Sequence, residues 1–117
     1  MTIDIADFDG PALLLQARGR INILTAEGFE ASTRRVIAAT DADVIIDTSE
    51  VTYLSTAGLR AFLVLWRQLQ DEDRRLYICG LKPYIQRVFE IIGFDQVIPI
   101  HPNVASVLAA MEGRSGD

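Results

Sequence analysis

The side chains best suited to chemistry gather in one stretch, Val51-Thr52-Tyr53-Leu54-Ser55-Thr56-Ala57-Gly58-Leu59-Arg60, downstream of Asp47. Two hydroxyls stand together there, followed by a small residue and a glycine. Ser55 or Thr56 can cap a following helix by accepting a hydrogen bond from a first-turn amide. Such amides lack partners inside the helix, and the aligned peptide dipoles favour negative charge beside them. A phosphate on Thr56 would be supported locally, adding roughly -1.5 to -2 charge and three acceptor oxygens to a nearly neutral surface. Its bulk would also disturb a close protein contact. The same residues equally suit a plain helix cap.

Most catalytic constellations are missing. The sole histidine, His101, stands beside Pro102 without a second His or a Cys to build a zinc site, and reads as a loop residue. The sole cysteine, Cys79, can form neither an internal disulfide nor a Cys-based metal cluster. Neither the P-loop pattern nor the dinucleotide fingerprint occurs, and Gly28 and Gly58 are isolated. Asp41, Asp43, Asp47 and Glu50 are close in sequence, yet an intervening strand disperses their directions. Asp47 is expected to end that strand and to accept hydrogen bonds from hydroxyls or amides of the loop Thr48 to Tyr53. No general base within the motif activates either hydroxyl. The expectation is a non-enzyme without metal or cofactor.

Composition narrows the partners. The chain carries 16 acidic and 11 basic residues, for a net charge of -5. Nucleic acid or an anionic membrane would need a concentrated basic surface. With 50% apolar and 23% charged residues over 117 positions, the chain suits one globular core. One domain spanning 1–117 is expected, with 112–117 frayed. The start, Met1-Thr2-Ile3-Asp4, lacks the basic and apolar regions of an export signal. No apolar run approaches the roughly 18 residues that span a bilayer. A cytoplasmic location is the expectation.

The elements that must position the motif follow from periodicity. Thr2 to Phe8 alternates in part, and Ala12 to Ala17 is an apolar run. Asp9-Gly10-Pro11 between them suits a hairpin of antiparallel strands. Phe29, Thr33, Val36 and Ile37 mark a helix over Ala26 to Ala39, and Val44-Ile45-Ile46 reads as a central strand covered on both faces. Leu59, Phe62, Leu63, Trp66 and Leu69 recur at three and four, predicting a helix from Gly58 to Gln70. Arg75 to Cys79 is the next strand. Pro83 begins a helix that turns Ile85, Val88, Phe89 and Ile92 inward and stops at Gly93. Pro99 restricts Val97 to Ile100 to an edge strand, and Asn103 to Met111 forms a last helix. The order β-β-α-β-α-β-α-β-α predicts an α/β domain with a mixed, mostly parallel sheet.

With the elements in place, Ile45 to Phe62 resembles the STAS domain family, specifically the bacterial anti-sigma factor antagonists. In that family a strand ending in Asp leads through a loop to an Asp-Ser-Ser/Thr-Gly-Leu type motif that opens a helix. Asp47 falls at the strand-end acid, Ser55 at the motif's Asp, and Thr56 at the phosphorylatable Ser. Ala57, Gly58, Leu59 and Arg60 complete it, close to a common Ser-Ser-Ala-Gly-Leu-Arg variant. Gly19-Arg20-Ile21-Asn22 falls where many members have Gly-x-Leu-Asp, and Leu81 to Phe94 looks like their later helix.

The resemblance implies a single STAS domain that binds an anti-sigma factor, often a serine/threonine kinase. Thr56 would be the phosphoacceptor, and a metal-dependent phosphatase would reverse the modification. ATP and catalytic metal would belong to those partners. Asn22, Asp47, Tyr53, Leu54, Ser55, Thr56, Ala57, Gly58 and Arg60 would form the partner-binding surface. The same patch also fits a constitutive interaction subunit of a transporter or stress-signalling assembly.

Overall fold

The computed structural model describes residues 2–6 and 12–115. Strands β1 (Thr2–Ala6) and β2 (Ala12–Ile21) lead to helix α1 (Ala26–Ala38), strand β3 (Asp43–Leu54) and helix α2 (Thr56–Asp71). Strand β4 (Leu76–Cys79), helix α3 (Pro83–Ile92), strand β5 (Ile100–His101) and helix α4 (Val104–Ser115) complete the order. A single 3-10 turn over Phe94–Gln96 joins α3 to β5. This is the predicted α/β order.

The five strands lie in one sheet in sequence order, β1-β2-β3-β4-β5. Thr2 to Ala6 pairs antiparallel with β2, as the hairpin expectation requires, although the turn itself lies outside the described residues. The pairs β2–β3, β3–β4 and β4–β5 are all parallel. Because those strands advance in one direction, crossovers of one hand deliver α1, α2 and α3 to one face. Side-chain alternation divides the sheet accordingly. Val44, Ile46, Leu76 and Ile78 join Phe29, Phe62 and Phe89 in the larger cluster. Ile45, Tyr77 and Cys79 face the other way and meet Val107 and Met111 of α4. The central strands are thus buried on both faces.

Four aromatic rings run through the larger cluster. Phe29 and Phe62 have ring centroids 5.2 Å apart, Phe62 and Phe89 6.1 Å, and Phe89 and Phe94 5.7 Å. Their tilted and edge-on geometries suit the aromatic quadrupole. This row locks α1, α2 and α3 together.

Several expected boundaries shift. β3 does not end at Asp47 but continues to Leu54, because β2 also runs on to Ile21 and pairs with it through two irregularities. The loop expected from Thr48 to Tyr53 is therefore strand. Val88 and Ile92 are 39% and 46% exposed, not inward, since α3 touches the core only along Ile85 and Phe89. The last strand is shorter and later than Val97 to Ile100, while Ile98 is buried ahead of it. His101 belongs to that strand, not to a loop. The last helix runs past Met111 to Ser115, where fraying was expected from Glu112.

Arg74 fastens the opposite end of the sheet from the motif. Its Nε donates to the Ala42 carbonyl at 2.8 Å, and Nη1 donates to the Ile37 carbonyl at 3.1 Å. Nη1 also pairs with Glu72 at 2.7 Å while the Arg74 side chain is only 5% exposed. A buried guanidinium so engaged ties the end of α1 to the start of β4. Arg74→Ala should lower unfolding free energy by about 3 kcal/mol, because both carbonyls lose a charged donor. Urea denaturation measures it, and Arg74→Lys should recover only part of the loss.

Candidate functional site

The motif begins where β3 ends. Ser55 takes an extended backbone, and its Oγ accepts from the Gly58 amide at 3.2 Å, making it the N-cap of α2. Of the two hydroxyls that could cap, Ser55 does so. Thr56 is the first helical residue and is exposed. Its side chain stands beside first-turn amides on the positive side of the helix dipole.

Gly58 is buried, and its lack of a side chain is used. A Cβ there would lie 2.5 Å from Leu54 Cδ1, 2.9 Å from Ile21 Cγ2 and 3.2 Å from the Ile21 carbonyl. The Ser55 amide donates to that same carbonyl at 2.9 Å. The end of β2 and the first turn of α2 therefore touch through backbone.

Asn22 follows Ile21 directly and organises the adjoining turn. Its Oδ1 accepts from the Leu24 amide at 2.9 Å and the Thr25 amide at 3.2 Å. Thr25 Oγ1 donates to the Arg20 carbonyl at 2.8 Å and accepts from the Asn22 amide at 2.9 Å. This network holds Ile23 and Leu24 outward, at 79% and 88% exposure. Two aliphatic side chains so placed beside the motif were missed as site residues. Their signal was a bulky pair bracketed by turn-forming Asn22 and Thr25.

Tyr53 is exposed, with the Arg20 guanidinium carbon 4.5 Å above its ring centroid. Leu54 and Ala57 are half-buried and pack on the larger core, while Arg60 is exposed. Tyr84 and Val88 of α3 line a groove with Tyr53, Leu54, Leu59 and Ile85. The sequence pattern turns Val88 inward and gives Tyr84 no direction, so neither appears there as a site residue.

Asp47 stands apart from this patch. Alternation puts it on the α4 face, in register with Cys79 and opposite the face that α2 covers. Its Oδ1 accepts from the Ser49 amide at 2.9 Å, the amide bond expected of it, and its Oδ2 receives Gln16 Nε2 at 3.5 Å. Beside it, burial pushes the Cys79 thiol up to about 12, with the Asp47 charge acting in the same direction. His101 Nδ1 lies 3.0 Å from Ser106 Oγ. Among the described residues no group of three or more His, Cys, Asp or Glu could hold a metal ion. Nor is any described helix long and apolar enough to cross a membrane.

The STAS domain family matches residues 3–107. The chain belongs to the STAS domain family. It is similar to BtrV of Bordetella bronchiseptica, assigned as an anti-sigma factor antagonist, with 31% identity over 112 residues covering 96% of each chain. An anti-sigma-B factor antagonist of Staphylococcus aureus is 25% identical over 83 residues, covering 71% of this chain and 77% of the relative. Among solved structures, an anti-sigma factor antagonist from Mycobacterium paratuberculosis superposes with a TM-score of 0.82 at 25% identity. That match covers 93% of this STAS domain and 92% of the other chain.

Two measurements probe this geometry. Gly58→Ala should cost about 1–3 kcal/mol through the forced contact with Ile21, against about 1 kcal/mol for Ser55→Ala, which removes only the cap. Chemical denaturation of both variants checks the order. For Cys79, the unfolded thiol loses its proton near its ordinary 9.0 while the folded thiol keeps it until about 12. Stability contributed by this group should therefore fall as pH rises from 9.0 to 12. Wild type should lose more stability across that window than Cys79→Ala, in denaturation series at fixed pH.

Proposed function

We propose that this STAS domain is a protein-binding regulatory module that antagonises an anti-sigma factor and is switched by phosphorylation at Thr56. The observation that carries the reading is the division of labour at the start of α2. Ser55 spends its hydroxyl on the cap, whereas Thr56 is exposed beside it. Asn22, Tyr53, Leu54, Ala57, Gly58 and Arg60 surround or support that position, and Ile23 and Leu24 extend the apolar surface. Asp47 acts from the other face by holding the strands beneath.

The unmodified surface is small, uncharged at its hydroxyls and partly apolar, which favours close contact with a partner. A partner kinase would transfer the γ-phosphoryl of ATP to Thr56 Oγ1, with ADP leaving and the hydroxyl proton released. The modified side chain carries roughly -1.5 to -2 charge, tolerated by the α2 dipole but bulky and strongly hydrated. A metal-dependent phosphatase would deliver water to the phosphorus, releasing phosphate and restoring the hydroxyl. ATP and metal are bound by those enzymes; this chain is substrate and ligand. The similarity to BtrV and to the antagonist from Mycobacterium paratuberculosis supports the regulated role over a constitutive scaffold.

The expected outcome with the cognate kinase and ATP is one phosphate, at Thr56, seen by intact-mass and fragment analysis. Thr56→Ala should accept none yet still bind the anti-sigma factor. Thr56→Glu should bind about tenfold or more weakly, as a charge placed within a close contact does. Absence of modification together with unchanged affinity in Thr56→Glu would reject the switch. Stable co-purification with a transporter or large assembly, indifferent to Thr56, would favour the constitutive reading.

A further inference from the structure

Helix α3 turns only part of its apolar surface inward. Ile85 and Phe89 are buried, whereas Tyr84, Val88 and Ile91 follow one another at helical spacing and are 53%, 39% and 76% exposed. Tyr84 and Val88 form one wall of a groove of about 230 Å³, and Tyr53, Leu54 and Leu59 form the other. That space is large enough to admit one bulky apolar side chain such as Leu, Met or Phe. Two hydrogen bonds tie the start of α3 to β3 beside the groove: the Tyr84 hydroxyl donates to the Thr52 carbonyl, and Lys82 Nζ donates to the Ser49 carbonyl at 2.6 Å.

The charges around it are one-sided. Arg20 lies over the Tyr53 ring. Arg87 sits three residues from Tyr84 and four from Ile91, so it borders the exposed stripe. Arg60 follows Leu59 and stands four residues from Thr56. All three arginines are exposed. Of the nearby acids, Glu50 is paired with Arg18 at 2.9 Å. Glu90, exposed and two residues from Val88, lies off the Tyr84-Val88-Ile91 stripe and is a helical neighbour of Arg87. Acidic residues concentrate instead at the far end of the sheet, as Asp41 before β3, Asp43 at its first position, and Asp71, Glu72 and Asp73 before β4. Three exposed arginines thus stand near the groove and its stripe in a chain of net charge -5.

We propose that the groove seats one bulky apolar side chain from an acid-flanked segment of the anti-sigma factor, and that Arg20, Arg60 and Arg87 receive the flanking carboxylates. This rests on the antagonist reading above and gives the partner's contact a chemistry. It also gives phosphorylation a second means of release. Thr56 is three residues from Leu59 and four from Arg60, on one side of α2. A phosphate there competes with the partner's own carboxylates for Arg60 and repels them from the rim.

The test is calorimetric titration of the purified anti-sigma factor that binds the unmodified chain, at low and high salt. Arg60→Glu/Arg87→Glu should weaken binding about tenfold or more at ~50 mM salt and less than about threefold at ~500 mM, as screening removes the repulsion. Val88→Trp, which fills the groove, should weaken binding at both salt concentrations. Val88→Asn and Arg60→Gln/Arg87→Gln serve if either bulkier set fails to fold by circular dichroism. Wild-type affinity in the groove-filling and charge-reversed variants, with Thr56→Glu still defective, overturns the groove while sparing the antagonist reading. A salt-independent loss in the charge-reversed variant overturns the acidic-partner assignment. Failure of unmodified wild type to bind any anti-sigma factor from its own host overturns both.

Discussion

Everything at the working end of this domain is arranged around one backbone contact, between the Ile21 carbonyl and the first turn of α2. The Ser55 amide donates to that carbonyl, and Gly58 presses against the same residue from the next turn position. Such proximity is open only to a residue without Cβ, which is why a glycine follows the hydroxyl pair. The contact fixes where α2 starts, and hence which hydroxyl is consumed by the cap. It also draws the Asn22 turn, with its exposed Ile23 and Leu24, alongside the motif. Loosening this junction would displace the cap, the turn and Thr56 together.

The sheet makes that junction possible by separating tasks between its faces and ends. One face takes three helices and a row of phenylalanines; the other is closed by α4 over Ile45, Tyr77 and Cys79. Stability is thus invested in the interior and at the Arg74 end. The other end can present polar, apolar and cationic groups without endangering the core. Asp47 illustrates the separation. It steadies β3 from the α4 side, beside a Cys79 thiol that burial pushes up with the Asp47 charge in support.

Much of this was legible in the sequence because the signals were local and repeated. Helix periodicity located α1 and α2, Pro83 and Gly93 bracketed α3, and β-branched density marked β3. Gly93 takes φ +82, a conformation that suits the helix terminator it was read to be. The length of β3 was not legible. Thr48 to Tyr53 carries hydroxyls and an acid that resemble a loop, and only pairing with β2 makes it strand. The outward turn of Val88 and Ile92 was hidden for a related reason. An apolar stripe reports that a surface is to be covered, but not whether the covering belongs to the same chain. The family resemblance groups Asp47 with the motif, whereas alternation along β3 puts its side chain on the α4 face.

The far border of the sheet has its own bearing on how associations form. β5 pairs with β4 over only Ile100 and His101, directly after Pro99, which has no amide hydrogen to offer. So brief a margin gives a foreign chain almost no ladder to extend, and templated β-aggregation from this side is discouraged by the covalent structure itself. Recognition is thereby steered away from sequence-blind main-chain pairing toward side chains, whose identity a partner can discriminate.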